Sequence, residues 1–104
     1  MSSPANVVVT GSFLGTGADL TIKTLPSKVK AIWLHNAASG DSAFYSSSMA
    51  DDSAFKRVAA GTQTLITSNG VTPYRSSDGA GFSLGADADM NVSGELVHYT
   101  AICE

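Results

Sequence analysis

The stretch 95–103 reads Glu-Leu-Val-His-Tyr-Thr-Ala-Ile-Cys, and no other feature constrains the chain as much. Val97, Tyr99, Ala101 and Cys103 fall on one side, and Leu96, His98, Thr100 and Ile102 on the other. That two-residue period is the mark of an extended strand, whose successive side chains point to opposite faces. Both sets are substantially apolar, so this strand belongs inside a sheet or against a partner subunit. The same period recurs upstream. Val7, Val9 and Phe13 alternate with Thr10 and Ser12, and Leu20 and Ile22 alternate with Asp19, Thr21 and Lys23. Gly15-Thr16-Gly17 between them is a turn signal, so the two segments predict a hairpin. Lys28–His35 is β-branched and aromatic, a third strand expected to be more fully buried toward its C-terminal end. Trp33 within it reads as a core side chain.

Further along, Phe44 and Tyr45 mark a short strand. Asp51-Asp52-Ser53 before Phe55, Val58 and Ala59 fits a capped helical turn or a strand, and the Gly61 stop followed by another strand favours strand. Gln63–Thr67 alternates around Leu65 and Ile66, and Ser68-Asn69-Gly70 reads as a turn. Val71–Tyr74 is extended, and Pro73 places it at an edge or in a connection. Phe82 and Leu84 alternate with Ser83 and Gly85, and 86–94 reads as a long polar loop. About seven or eight short antiparallel strands with turns every ~8–12 residues predict an all-β chain, a single β-sandwich or jelly-roll-like domain over residues 1–104.

Composition narrows the function classes. The 104 residues are 43% hydrophobic and 14% charged, where soluble domains carry roughly 25% charge. The surface expected is one of small uncharged side chains. The formal net charge of −3 and the six dispersed Lys and Arg speak against a nucleic-acid partner. No apolar run reaches the ~18 residues of a membrane span, and Met1-Ser2-Ser3-Pro4 has neither the basic start nor the apolar stretch of a secretory signal. The single cysteine excludes an intramolecular disulfide and fits a reducing cytoplasm.

The candidate chemistry is thin. His35 and His98 stand in strands, and the chain has no Gly-x-Ser-x-Gly elbow. They read as structural side chains, His35 at a strand end and His98 on a half-buried face. Asp87-x-Asp89-x-Asn91 resembles the opening of a calcium loop, but Val92 stands where that loop needs Gly and His98 where it needs a bidentate Glu. It reads instead as a turn in which Asp and Asn side chains bond their own backbone. Asn91-Val92-Ser93 is a glycosylation sequon, and Cys103 reads as a small buried residue. Gly15-Thr16-Gly17 and Gly79-Ala80-Gly81 lack the Lys and helix of a phosphate loop. The expectation is no enzyme: no catalytic residues, no cofactor and no metal.

Three stretches carry a resemblance. Gly11-Ser12-Phe13-Leu14-Gly15-Thr16-Gly17 with Leu20-Thr21-Ile22 resembles the opening hairpin of many tailed-bacteriophage virion proteins. Lys28-Val29-Lys30-Ala31-Ile32-Trp33-Leu34 resembles the strand that follows there. The run 54–74 and then Gly81-Phe82-Ser83-Leu84-Gly85-Ala86-Asp87-Ala88-Asp89-Met90-Asn91-Val92-Ser93-Gly94-Glu95, ending in a strand with Tyr99, resembles the remainder. The Gly-Phe-x-Leu-Gly-x-Asp-x-Asp-x-Asn-x-x-Gly run is the most specific part. The resemblance implies a structural β-domain of a phage head, tail or fibre, without catalysis.

A small domain that begins at its own Met1 and shows no shaft or attachment segment suits an add-on subunit of a shell. The function expected is therefore a capsid decoration (cement) protein on the virion surface, made in the host cytoplasm. Its expected partners are the major capsid protein and further copies of itself, as a trimer or dimer. Val7, Val8 and Val9 are the candidate partner-binding residues, an apolar strand that otherwise pairs within its own sheet. The alternative is a receptor- or carbohydrate-binding module of a tail or head fibre, which needs Trp33, Tyr45 or Tyr74 exposed.

Overall fold

The structure, a computed structural model, describes residues 7–103; the Met1–Pro4 segment read for targeting lies outside them. Eight strands and no helix make up the described chain: β1 Val7–Leu14, β2 Leu20–Ile22, β3 Val29–Asn36, β4 Ser42–Ser46, β5 Ser53–Arg57, β6 Gln63–Ser76, β7 Gly79–Leu84 and β8 Leu96–Cys103. All pair antiparallel in one sheet of order β1-β8-β3-β4-β5-β6-β7-β2. The all-β architecture is as expected, and the segment at 53–57 is a strand. The strand at 96–103 is central, between β1 and β3.

Chain connectivity dictates the curvature of the sheet. β1 and β2 are consecutive in sequence but lie at opposite ends of the sheet. Six Cα steps from Leu14 to Leu20 reach at most roughly 22 Å. Eight strands laid flat would put the edges about 34 Å apart. The sheet therefore curls into a half-barrel, and its two halves face each other across one core. Phe13 of β1, Tyr99 of β8 and Phe82 of β7 meet there, with Phe82 and Tyr99 rings 5.6 Å apart and nearly perpendicular. Ile32, Leu34, Val71, Leu84, Val97 and Ala101 complete the interior.

Three expectations are corrected here. The predicted hairpin of β1 with β2 does not form: β1 pairs β8 and β2 pairs β7. The Gly15–Asp19 link is held by another loop instead. Gly15 N–H donates to the Glu95 carbonyl at 2.9 Å and Gly17 N–H to the Asn91 carbonyl at 3.2 Å. A methyl group at Gly15 would collide with the Val92 backbone, which is why only glycine lets the two loops come so close. Ser68-Asn69-Gly70 is not a chain reversal. β6 continues through it as an irregularity: Thr67–Gly70 is extra chain opposite the Ser53/Ala54 step, with Asn69 left-handed at φ 60°. Pro73 accordingly sits inside a long strand paired with Phe82. It is tolerated because β5 flanks this half of β6 only as far as Ser53–Val71, so no ladder bond is lost on the far side.

Third, β3 is not buried increasingly toward its end; it alternates to the last residue. A register shift between Val29 and Ala31 resets the phase, and Ile32, Leu34 and Asn36 then point inward while Trp33 and His35 point out. Trp33 is 46% exposed and not a core side chain. An apolar strand in a one-layer curled sheet can bury only one of its two faces.

Candidate functional site

Register builds the site from four strands. Trp33 of β3 stands opposite Phe44 of β4, Phe44 opposite Phe55 of β5, and Phe55 opposite Leu65 of β6. Directly opposite residues of antiparallel strands share a face, so the four form a continuous row across the outside of the sheet. Phe55 is 46% and Leu65 60% exposed, and the Trp33 and Phe44 rings lie 5.1 Å apart, tilted by 46°. A row of three aromatics and a leucine facing water is the kind of contiguous apolar surface that marks a contact site.

The neighbouring row on the same face is polar: Ser12, His98, His35, Ser42, Arg57 and Gln63, in strand order β1-β8-β3-β4-β5-β6. A shallow cleft of about 370 Å³ runs between the rows, lined by Trp33, His35, Phe44, Phe55, Arg57 and Gln63. Neither row holds an Asp or Glu, although the chain is net negative. Another cleft of about 380 Å³ beside β2, β6 and β7 is lined mostly by polar groups such as Asp19, Asp52 and Asn69. Size does not separate the two clefts; the exposed aromatics do.

Three carboxylates, Asp87, Asp89 and Glu95, stand in the 85–95 loop, where the calcium-loop resemblance fell. Asp87 Oδ2 accepts from the Asp89 and Met90 N–H groups, each at 3.0 Å, the self-bonded turn expected. Between Asp87 and Asp89 lies the Lys56 ammonium, 2.9 Å from Asp87 Oδ1 and 2.8 Å from Asp89 Oδ2. Burial alone would lower the Lys56 pKa, but its hydrogen bonds to Asp89 and Asp87 outweigh that and leave it above the ordinary lysine value. Lysine thus supplies the cation this loop would otherwise seek. Asn91 does not face it. Its Oδ1 accepts from Thr16 N–H at 2.8 Å, and its Nδ2 donates to the carbonyls of Ala18 at 2.6 Å and Gly85 at 3.0 Å. The amide of the sequon is therefore buried and fully engaged. The 86–94 segment is polar by composition yet partly interior, with Asp87, Met90 and Asn91 all buried.

The candidate partner-binding residues lie on β1. Val7, Val8 and Val9 pair with Cys103, Ile102 and Ala101 of β8. Val7 and Val8 are exposed, and Val9 packs against the core. β1 is an edge strand, so its outer backbone edge has no strand partner among the described residues. Of the tyrosines proposed for a carbohydrate platform, Tyr45 is buried and Tyr74 half-buried, its hydroxyl donating to Asp78 Oδ1 at 2.7 Å. Cys103 is buried, and burial raises its thiol pKa. His98 and His35 are both exposed, unlike the half-buried reading given to His98. Sequence reasoning missed Phe44, Phe55 and Leu65 as surface residues. The sequence carried no signal of this, since Phe44 is followed by Tyr45 and Leu65 by Ile66, and either member of each pair could have faced the core.

No protein-family model, no curated protein and no solved structure matches this chain.

Proposed function

We propose that the chain is a non-catalytic virion structural domain, a capsid decoration protein that oligomerises and binds the outer surface of a phage head. The observation that carries this reading is β1. It is an eight-residue edge strand, Val-Val-Val-Thr-Gly-Ser-Phe-Leu, with no charge, no proline and an unshifted register against β8. Natural edge strands are normally blunted by Lys, Pro or a bulge. An unprotected one is a template for strand addition. Its sequence is also chemically symmetric about Gly11. An antiparallel two-fold pairing of two copies there sets Val8 against Leu14, Thr10 against Ser12 and Val9 against Phe13, apolar on apolar and hydroxyl on hydroxyl. Val8 is 62% and Leu14 60% exposed in one copy. The sequence resemblance supplies the virion context, and weak identical contacts repeated over a lattice add through avidity.

The test is the copy number of this chain in purified virions relative to the major capsid protein. A simple ratio corresponding to hundreds of copies is expected; a few copies per particle would overturn the decoration role. One observation favours a second reading, a receptor- or carbohydrate-binding module: the exposed Trp33 row with its polar flank. Quenching of Trp33 fluorescence by cell-surface glycans, without a capsid-like copy number, would select that reading.

A further inference from the structure

We propose that His35 and His98 form a two-histidine site for a divalent late transition-metal ion on the outer face of the sheet. The two residues are directly opposite each other on β3 and β8. Both are exposed, and their strand neighbours Leu34, Asn36, Val97 and Tyr99 are buried, so both imidazoles leave the same face. Opposite Cβ atoms in such a pair are about 4.5–5.5 Å apart. Two imidazole nitrogens bound at about 2.0–2.1 Å to one ion lie roughly 3 Å from each other. Rotation of the two side chains closes that difference with no backbone movement.

The backbone under them is held on both sides, since β8 is flanked by β1 and β3 by β4. The site is therefore preorganised in the way that strand-borne ligands allow and loop-borne ligands do not. Neither imidazole makes a hydrogen bond or ion pair among the described residues, so a ring nitrogen of each is free to bind. Imidazole selects copper, nickel and zinc over calcium and magnesium, which seek oxygen ligands. The absence of carboxylates in the row sharpens that choice. Ser12 lies beyond His98 and Ser42 beyond His35. With two protein donors the ion keeps open positions filled by water. Arg57, the one formal positive charge in the row, is two strands from His35, about 10 Å, and at an exposed face its repulsion is largely screened in ordinary salt. This inference rests on the β3–β8 register and the exposure of both histidines and stands or falls independently of the virion reading.

Trp33 makes the site readable. It is the single tryptophan, two residues from His35 on the same face, and paramagnetic nickel(II) held there quenches it. Untagged protein is titrated with nickel chloride alone while Trp33 emission is followed. Saturable one-site quenching is expected, with binding weakened about tenfold or more in His35→Ala and in His98→Ala because a chelate becomes a single ligand. Calcium produces no quenching. In parallel, zinc chloride added to the wild-type protein shifts the imidazole NMR signals of both histidines. Quenching that is unchanged in the His35→Ala, His98→Ala double variant, or zinc that leaves either imidazole signal unmoved, overturns the proposal.

Discussion

Lys56 and Asn91 show how single side chains tie the 85–95 loop to the rest of the molecule. Lys56 Nζ is clasped by two carboxylates on a loop 31 and 33 residues away, and its side chain is only 14% exposed. Lys56→Met leaves Asp87, itself 8% exposed, without its counter-charge, and removing one partner of such a pair is strongly destabilising. The expected loss is about 3 kcal/mol, measured by urea unfolding. Because the folded Lys56 pKa is raised, its stabilisation is fully present below the unfolded lysine value of about 10.4 and is lost as pH rises through the higher folded value. Wild-type stability should therefore fall at alkaline pH, and Lys56→Met should flatten that fall. The opposite limb belongs to Asp78, whose hydrogen bonds from Lys23 and Tyr74 bring its pKa to about 2. Its contribution is present above the unfolded carboxylate value and is lost as pH drops toward 2, but the group is exposed and screened. Asn91→Ala removes three hydrogen bonds at once: Thr16 N–H loses its acceptor, while the Ala18 carbonyl keeps Thr16 Oγ1 at 2.7 Å and the Gly85 carbonyl keeps Asp87 N–H at 2.8 Å. At roughly 1 kcal/mol net for each hydrogen bond lost, up to about 3 kcal/mol should be lost in the same assay.

At the scale of elements, edge and centre divide the work. β8 takes partners on both sides and contributes Val97, Tyr99, Ala101 and Cys103 to the core, one of the two apolar faces its period defined. β1 has one partner and an open edge. Gly11 pairs with Tyr99 and leaves room for the ring to lie across it; a Cβ there would stand 2.6 Å from the tyrosine oxygen. That contact fastens the edge strand to the core while its outer face stays free. Val8→Lys tests the division. Val8 is largely in water, so folding should be unchanged within about 0.5 kcal/mol. A lysine on the edge opposes strand addition, so the proposed self-association through β1, followed by sedimentation, should be lost in this variant. A variant that still associates like the wild type would move the interface away from β1.

For the whole molecule, curvature separates what folds the chain from what the chain presents. The concave side holds the Phe13, Phe82 and Tyr99 cluster. The convex side carries the Trp33–Leu65 row and the histidine row. Phe82→Ala, at 0% exposure, should cost about 3–5 kcal/mol through the cavity it leaves. Trp33→Ala should cost only about 1 kcal/mol, the loss of its contact with Phe44, while removing whatever contact the outer face makes. Equal losses from the two changes in a thermal melt would mean that Trp33 serves the fold.

The period-two patterns of the strands were legible in the sequence because they are local: neighbours two apart share a face whatever the partner strand. The self-bonded Asp87 turn was legible for the same reason. Strand order, the failed β1–β2 hairpin and the outward turn of Trp33 were not, because they depend on which distant strands pair and which face the curl encloses. His35 and His98 are 63 residues apart in the chain, and Trp33, Phe44, Phe55 and Leu65 come from four separate strands. Only the register of the curled sheet, selected by one shared core and a link too short for a flat sheet, brings either set together.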